Sequence, residues 1–153
     1  SDVYRYTLQG KKKDLVSLKE ELAMAENYIF LMQIRFGENL VVQNRIPVEA
    51  LGLKLPVLTL QLIIENAVKH NVVSRINPLN LRFSVEDNFL EVWNNRNVKQ
   101  EMEPGTGTGL ENIRKRYALY THETIQVQDE EEFFTVRVPL INVRKYEGAD
   151  HRG

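Results

Sequence analysis

From Leu15 to Phe36 the apolar residues fall at Leu15, Leu18, Leu22, Ala25, Ile29, Met32 and Phe36, in steps that alternate between three and four. That alternation puts all seven on one face of a helix, in the manner of a heptad seam. The seam runs back through Leu8 and Tyr4 with only Lys11 out of character, and neither Gly nor Pro intervenes between Lys11 and Phe36. The spacing predicts one long, coiled-coil-like helix whose seam faces a partner helix. After Gly37 the pattern shortens to a β-prone run, Leu40-Val41-Val42, closed by Pro47, which places a boundary near residues 37–45.

A second helical pattern covers Leu58 to Asn71, LTLQLIIENAVKHN, with Leu58, Leu62, Ile63, Ala67 and Asn71 on one face. Pro56 opens it, at a position where a missing amide donor costs nothing. Asn77-Pro78 breaks the chain, and Leu79, Leu81, Phe83 and Val85 then alternate with polar residues before Asp87-Asn88 turns the strand back through Phe89 to Trp93. This is a β-hairpin with one buried face. Asn94 to Thr108 reads as a long loop, Leu110 to Tyr120 as a helix, and Thr124–Gln128 with Phe133–Leu140 as two strands joined by an acidic turn. The order predicts an α/β two-layer sandwich, a mixed sheet covered on one face by helices and the other face partly solvated. Three segments follow: a helix over 1–37, a globular domain over 38–141 and a polar tail over 142–153.

Composition narrows the class without deciding it. Of the 153 residues, 42% are hydrophobic and 27% charged, as in a soluble globular protein, and a net charge of −1 supplies no drive toward nucleic acid or an anionic membrane. The absence of cysteine excludes disulfides and thiolate metal sites and fits a reducing cytoplasm. The longest apolar runs are too short to span a bilayer.

The candidate chemistry sits in two places. Glu65, Asn66, Lys69 and His70 gather polar groups at the C-terminal half of the central helix, an arrangement that suits a binding site and equally a helix answering its own dipole. Gly105-Thr106-Gly107-Thr108-Gly109-Leu110 sets three glycines at alternate positions just before a helix. Glycines allow close backbone approach and the free amides of a helix start attract anions, so the loop can cradle phosphate; it can also be a flexible connector. It lacks the Lys-Ser or Lys-Thr of a P-loop and does not follow a strand as a dinucleotide fingerprint does.

ENAVKHN at Glu65 to Asn71, GTGTGLENIRKRY at Gly105 to Tyr117 and FTVRVPL at Phe134 to Leu140 together resemble the N-box, G-box and closing strand of the GHKL (Bergerat-fold) ATP-binding domain of sensor histidine kinases. LKEELAMAENYIFLMQIRFG and LPVLTLQLIIENAVKH narrow the resemblance to the LytS-like (YehU-like) branch, and it covers nearly the whole chain from Ser1 to Ile141. It implies that Asn66 ligates the magnesium ion of Mg-ATP through its amide oxygen and that Lys69 neutralises phosphate charge. His70 and Asn71 would line the triphosphate side, and Gly105, Thr106, Gly107, Thr108, Gly109 and Leu110 would close over the phosphates. It further implies a dimeric parent with its own dimerisation helices, 1–37 supplying the second helix of that hairpin, and a response regulator, of LytTR type, as partner. The domain would be the cytoplasmic, soluble portion of a sensor anchored in the inner membrane, itself touching neither membrane nor nucleic acid.

Two departures from the pattern stand out. Where the family has Asp-x-Gly-x-Gly, with Asp accepting the adenine amino group, this chain has Asn94-Asn95-Arg96-Asn97-Val98. Asn94 can accept a hydrogen bond but brings no charge and has an amide of its own to satisfy, and the loss of both glycines leaves the asparagines to visit left-handed backbone. The phosphoacceptor of the family sits in a Pro-His-Phe context, and none of His70, His122 and His151 has those neighbours. Leu62 stands where a GHKL hydrolase carries the glutamate that activates water, and a leucine takes no proton. The implied function is transfer of the ATP γ-phosphate to a histidine outside this chain; the alternative is a degenerate interaction module that binds nucleotide weakly or not at all.

Overall fold

The structure, a computed structural model, describes residues 14–97, 99 and 108–143. The chain opens with strand β1 (Leu15–Ser17) and continues through helix α1 (Leu18–Phe36), β2 (Leu40–Asn44), β3 (Lys54–Pro56) and helix α2 (Thr59–His70). The hairpin β4 (Leu79–Glu86) and β5 (Phe89–Asn95), helix α3 (Thr108–Tyr117), β6 (Gln126–Asp129) and β7 (Phe133–Pro139) complete it. Strands β2-β4-β5-β7-β6 form one mixed sheet, parallel only between β2 and β4, while β1 and β3 make a separate antiparallel pair. The predicted α/β sandwich is the observed architecture.

The first helix is shorter than its spacing predicts. Ser17 caps it, its Oγ accepting from the Glu20 N–H at 3.1 Å, and Ser17-Leu18-Lys19-Glu20 has the S-x-x-E form of a capping box. Ahead of that cap Leu15, Val16 and Ser17 pair with Pro56, Leu55 and Lys54, so the helix cannot run back to Lys11. At the other end Gly37 adopts φ +58 and returns its N–H to the Gln33 carbonyl, a left-handed stop that favours glycine. The seam does face a helix, but that helix is α2 of the same core. Leu18, Leu22, Ala25 and Ile29 are buried in one cluster with Leu60, Ile63 and Ile64 of α2 and Leu40 of β2. Residue 37 therefore marks no change in packing, and residues 15–36 form a layer of the domain that the boundary at 38 was expected to open.

Helix α2 starts one residue later than expected, at Thr59, and Pro56 closes β3 instead of opening the helix. Leu58 precedes it at φ +68, a left-handed conformation that costs a side-chain-bearing residue on the order of 1–2 kcal/mol. Its buried stripe is Leu60, Ile63, Ile64, Ala67, Val68 and Asn71, with Leu58 41% exposed. The stripe rests on the sheet face made by Leu79, Leu81 and Phe83 of β4, Leu90, Val92 and Asn94 of β5 and Val136 and Val138 of β7. On the opposite face Arg82 lies over the Trp93 ring at 4.4 Å, and Arg137 lies over Phe89 and pairs with Glu91 at 3.6 Å, the polar exterior expected of that face.

The hairpin turn is as the alternation predicts. Asp87 and Asn88 take φ +53 and +63, the two left-handed positions of a type I′ turn. Asn tolerates that region better than alanine does, so Asn88→Ala is expected to lower stability by about 1 kcal/mol, read from the urea midpoint at unchanged slope. Helix α3 ends at Tyr117, after which hydrogen-bonded turns carry the chain to Tyr120, and β6 begins two residues later than expected because Ile125 is buried in the core instead. No helix of the described residues is long and apolar enough to cross a membrane.

Candidate functional site

The predicted site residues that the structure describes lie on three elements: the second half of α2, the end of β5 and the start of α3. Of these, α2 and α3 meet at Asn66 and Gly109. A Cβ built on Gly109 would lie 3.0 Å from Asn66 Nδ2 and 3.2 Å from Oδ1, so a glycine is what lets the amide of Asn66 sit against the first turn of α3. Two motifs 43 positions apart thus share one contact, and the side chain involved is the proposed cation ligand. Leu110 is half-buried and packs on the core, fixing the first turn of α3 by an apolar anchor. Gly105, Thr106 and Gly107 lie outside the described residues, as does the side chain of Thr108.

Asn71 has a structural task as well as a place in the site. It is buried, donates from Nδ2 to the Ala67 carbonyl at 2.8 Å and accepts from the Asn97 N–H at 2.7 Å. Val72 N–H reaches the Asn97 carbonyl at 2.7 Å and Lys99 N–H the His70 carbonyl at 3.2 Å. The end of α2 is stitched to the segment that follows β5. His70 is half-buried, and Lys69 is exposed along a groove of about 590 Å³ that it shares with Asn71, Glu65 and Lys99 and with Tyr28 and Arg35 of α1. The Tyr28 hydroxyl is pushed up by burial and by the Glu65 carboxylate, against the opposing pull of Arg35.

Asn94 is 3% exposed on the helix-facing side of the sheet, where its Nδ2 donates to the Asn95 carbonyl at 2.8 Å. Its amide is satisfied locally, which leaves the side-chain oxygen as the acceptor at this position. The asparagines that follow do not use left-handed backbone: among the described residues the non-glycine positive φ values belong to Leu58, Asp87 and Asn88 alone. They act through side chains instead. Asn95 accepts from the Asn80 N–H at 2.7 Å and donates to the Pro78 carbonyl at 3.0 Å, and Asn97 donates to the same carbonyl at 3.0 Å. Arg96 pairs with Asp129 and donates to the Glu130 carbonyl at 2.7 Å, anchoring this segment to the acidic turn.

The chain is similar to known proteins in three ways. A family model described as "Histidine kinase" matches residues 1–40. The sensor protein LytS of Staphylococcus saprophyticus is 30% identical over 132 residues, covering 76% of this chain and 22% of LytS. LytS of Enterococcus faecalis is 29% identical over 140 residues, covering 80% and 24% respectively. The catalytic domain of histidine kinase ThkA superposes with a TM-score of 0.60 at 16% identity, over 84% of this chain and 97% of that one. The cytoplasmic segment of histidine kinase QseC does so with a TM-score of 0.58 at 13% identity, over 84% and 77%. The chain carries the GHKL catalytic-domain fold of the LytS-like sensor histidine kinases.

This LytS-like domain spans less than a quarter of the length of the LytS relatives it matches. Within it, the matched residues 1–40 include the whole of α1, the helix whose seam packs on α2. One residue of α1 stands out. Glu21 is 1% exposed, and its two carboxylate oxygens accept from the Leu58 N–H at 2.6 Å and the Leu60 N–H at 2.9 Å. Burial pushes its carboxyl up, while the two N–H groups and Arg116 pull it down. The only hint in the LytS-like sequence is position: Glu21 lies beside Leu18, Leu22 and Ala25 on the wheel, where a charge is out of place.

Proposed function

We propose that this chain is the ATP-binding catalytic domain of a two-component sensor histidine kinase and transfers the γ-phosphate of Mg-ATP to a histidine that is not among its own three. The observation that carries this reading is the contact of Asn66 with Gly109. It supplies a hard oxygen donor beside the amides of a helix start, the donor set a magnesium triphosphate takes. Magnesium keeps most of its coordination on water and phosphate, so one amide ligand suffices, and among the described residues no cluster of three or more His, Cys, Asp or Glu competes for it. Magnesium supplies charge neutralisation at the phosphates. Asn66 orients it, Lys69 adds a mobile cation at the rim, and the Asn94 carbonyl oxygen receives the adenine amino group. Leu62 offers no base for water, which suits transfer to a protein side chain better than hydrolysis.

The parent protein would dimerise through its own hairpin helices, residues 1–37 belonging to the second of them, and pass the phosphoryl group to a response regulator, of LytTR type in our reading. Asn94 favours a second reading: without the charge of an aspartate the adenine contact is weaker, and a domain that no longer binds nucleotide would be an interaction module. Calorimetry with Mg-ATP separates the two, because the kinase reading expects saturable binding and its absence sinks that reading. Incubated alone with γ-labelled ATP, this chain is expected to stay unlabelled, since its three histidines lack the acceptor context; an acid-labile label on it would overturn that expectation.

A further inference from the structure

Helix α2 is held at both of its ends. In its second half Asn66 meets Gly109 of the first turn of α3. At its start the Leu58 and Leu60 N–H groups donate to the two carboxylate oxygens of Glu21, a residue of α1 that is 1% exposed. Asn66 lies seven residues beyond Thr59, about 10 Å along the helix, so Glu21 stands at one end of α2 and the site toward the other. Tyr117, the last residue of α3, is buried in the same core, and burial and the Glu21 charge raise its hydroxyl.

We propose that Glu21 is a positioning residue for the Asn66–Gly109 site: its buried carboxylate fixes the start of α2 against α1 and so sets the register in which Asn66 meets Gly109. The start of α2 needs such a device. Leu58 is held in a left-handed conformation without a side-chain cap of its own, and the Leu58 and Leu60 N–H groups have the Glu21 oxygens as their acceptors. A carboxylate receiving two backbone donors in a buried place is rigid, and it is charge-matched to the positive end of the helix it caps. The Arg116 charge on α3 favours the ionised form of the Glu21 carboxyl against its burial.

The inference rests on the nucleotide reading only for its binding arm. In the whole chain without nucleotide, Glu21→Gln keeps one acceptor oxygen but turns an NH2 toward the other N–H. It is expected to move the side-chain amide resonance of Asn66 in a ¹⁵N–¹H spectrum along with the Leu58 and Leu60 amides. With Mg-ATP, Glu21→Gln is expected to weaken binding about threefold to tenfold, and Glu21→Asp, which retains the charge, to recover part of that loss. An Asn66 resonance that stays at its wild-type position in Glu21→Gln while Leu58 and Leu60 shift overturns the proposal. A wild-type chain that fails to bind Mg-ATP removes the kinase reading instead and leaves the resonance test intact.

Discussion

Asn66→Ala is expected to raise the dissociation constant for Mg-ATP about a hundredfold or more while the thermal midpoint stays within a degree or two. Second-shell groups around a metal already contribute about tenfold to a hundredfold, and a ligand should stand at or above the upper end of that range. The stability side is small because Asn66 is only half-buried and no described residue holds its amide by a hydrogen bond. Alanine is also the better helix former by about half a kcal/mol. Titration calorimetry in magnesium, repeated with EDTA, reads the effect directly. In EDTA the wild type and Asn66→Ala should converge, because the lost group acts through the cation. Equal affinities in magnesium would move the cation off Asn66 and leave the amide as a packing group against Gly109.

The two-layer architecture was legible because its strongest signals are periodic. The alternation Leu79, Leu81, Phe83 and the Asp87-Asn88 pair dictate a hairpin whatever surrounds them, and both stand in the structure. The heptad seam was legible as a surface but not as to its partner. Periodicity says that Leu18, Leu22, Ala25 and Ile29 share a face, and nothing in a period of 3.5 says whether the covering helix comes from another subunit or from 40 residues downstream. A local signal could have shortened that helix: Ser17-Leu18-Lys19-Glu20 is a capping box, and Val16 ahead of it is β-branched.

Of the site, motifs name residues, and the groups that act across the fold leave no motif. Asn66 and Gly109 are far apart in sequence, and only their shared family pattern predicted that they meet. Glu21 carries little trace of its task in LKEEL, since the groups that donate to it are backbone N–H groups and backbone leaves no mark on residue type. The asparagines after β5 illustrate the converse. Asn95 and Asn97 stand where flexible backbone was expected, yet each spends its side chain on Pro78 or a neighbouring amide, an arrangement that depends on a loop crossing nearby.

Gly109→Ala should move stability and binding in opposite directions, which is what makes it the sharper companion to Asn66→Ala. Within a helix, alanine in place of glycine stabilises by roughly 0.5–1 kcal/mol, less near an end, so the thermal midpoint should hold or rise slightly. The new methyl meets nothing of the backbone. Its nearest atoms are the amide nitrogen and oxygen of Asn66 at 3.0 and 3.2 Å, the far end of a side chain that can swing aside by a few tenths of an ångström at little cost to the fold. That same displacement carries the proposed ligand oxygen away from the cation, and a binding group moved by a fraction of an ångström is expected to weaken Mg-ATP about tenfold. A glycine kept only to make the loop before α3 supple would give another result, with affinity unchanged and stability raised. A drop in stability together with lost binding would mean that the neighbours of Gly109 cannot yield, and the contact with Asn66 would then be a packing constraint. Differential scanning calorimetry and titration calorimetry on one preparation separate these outcomes, and a cation held by Asn66 requires the midpoint to hold while the affinity falls.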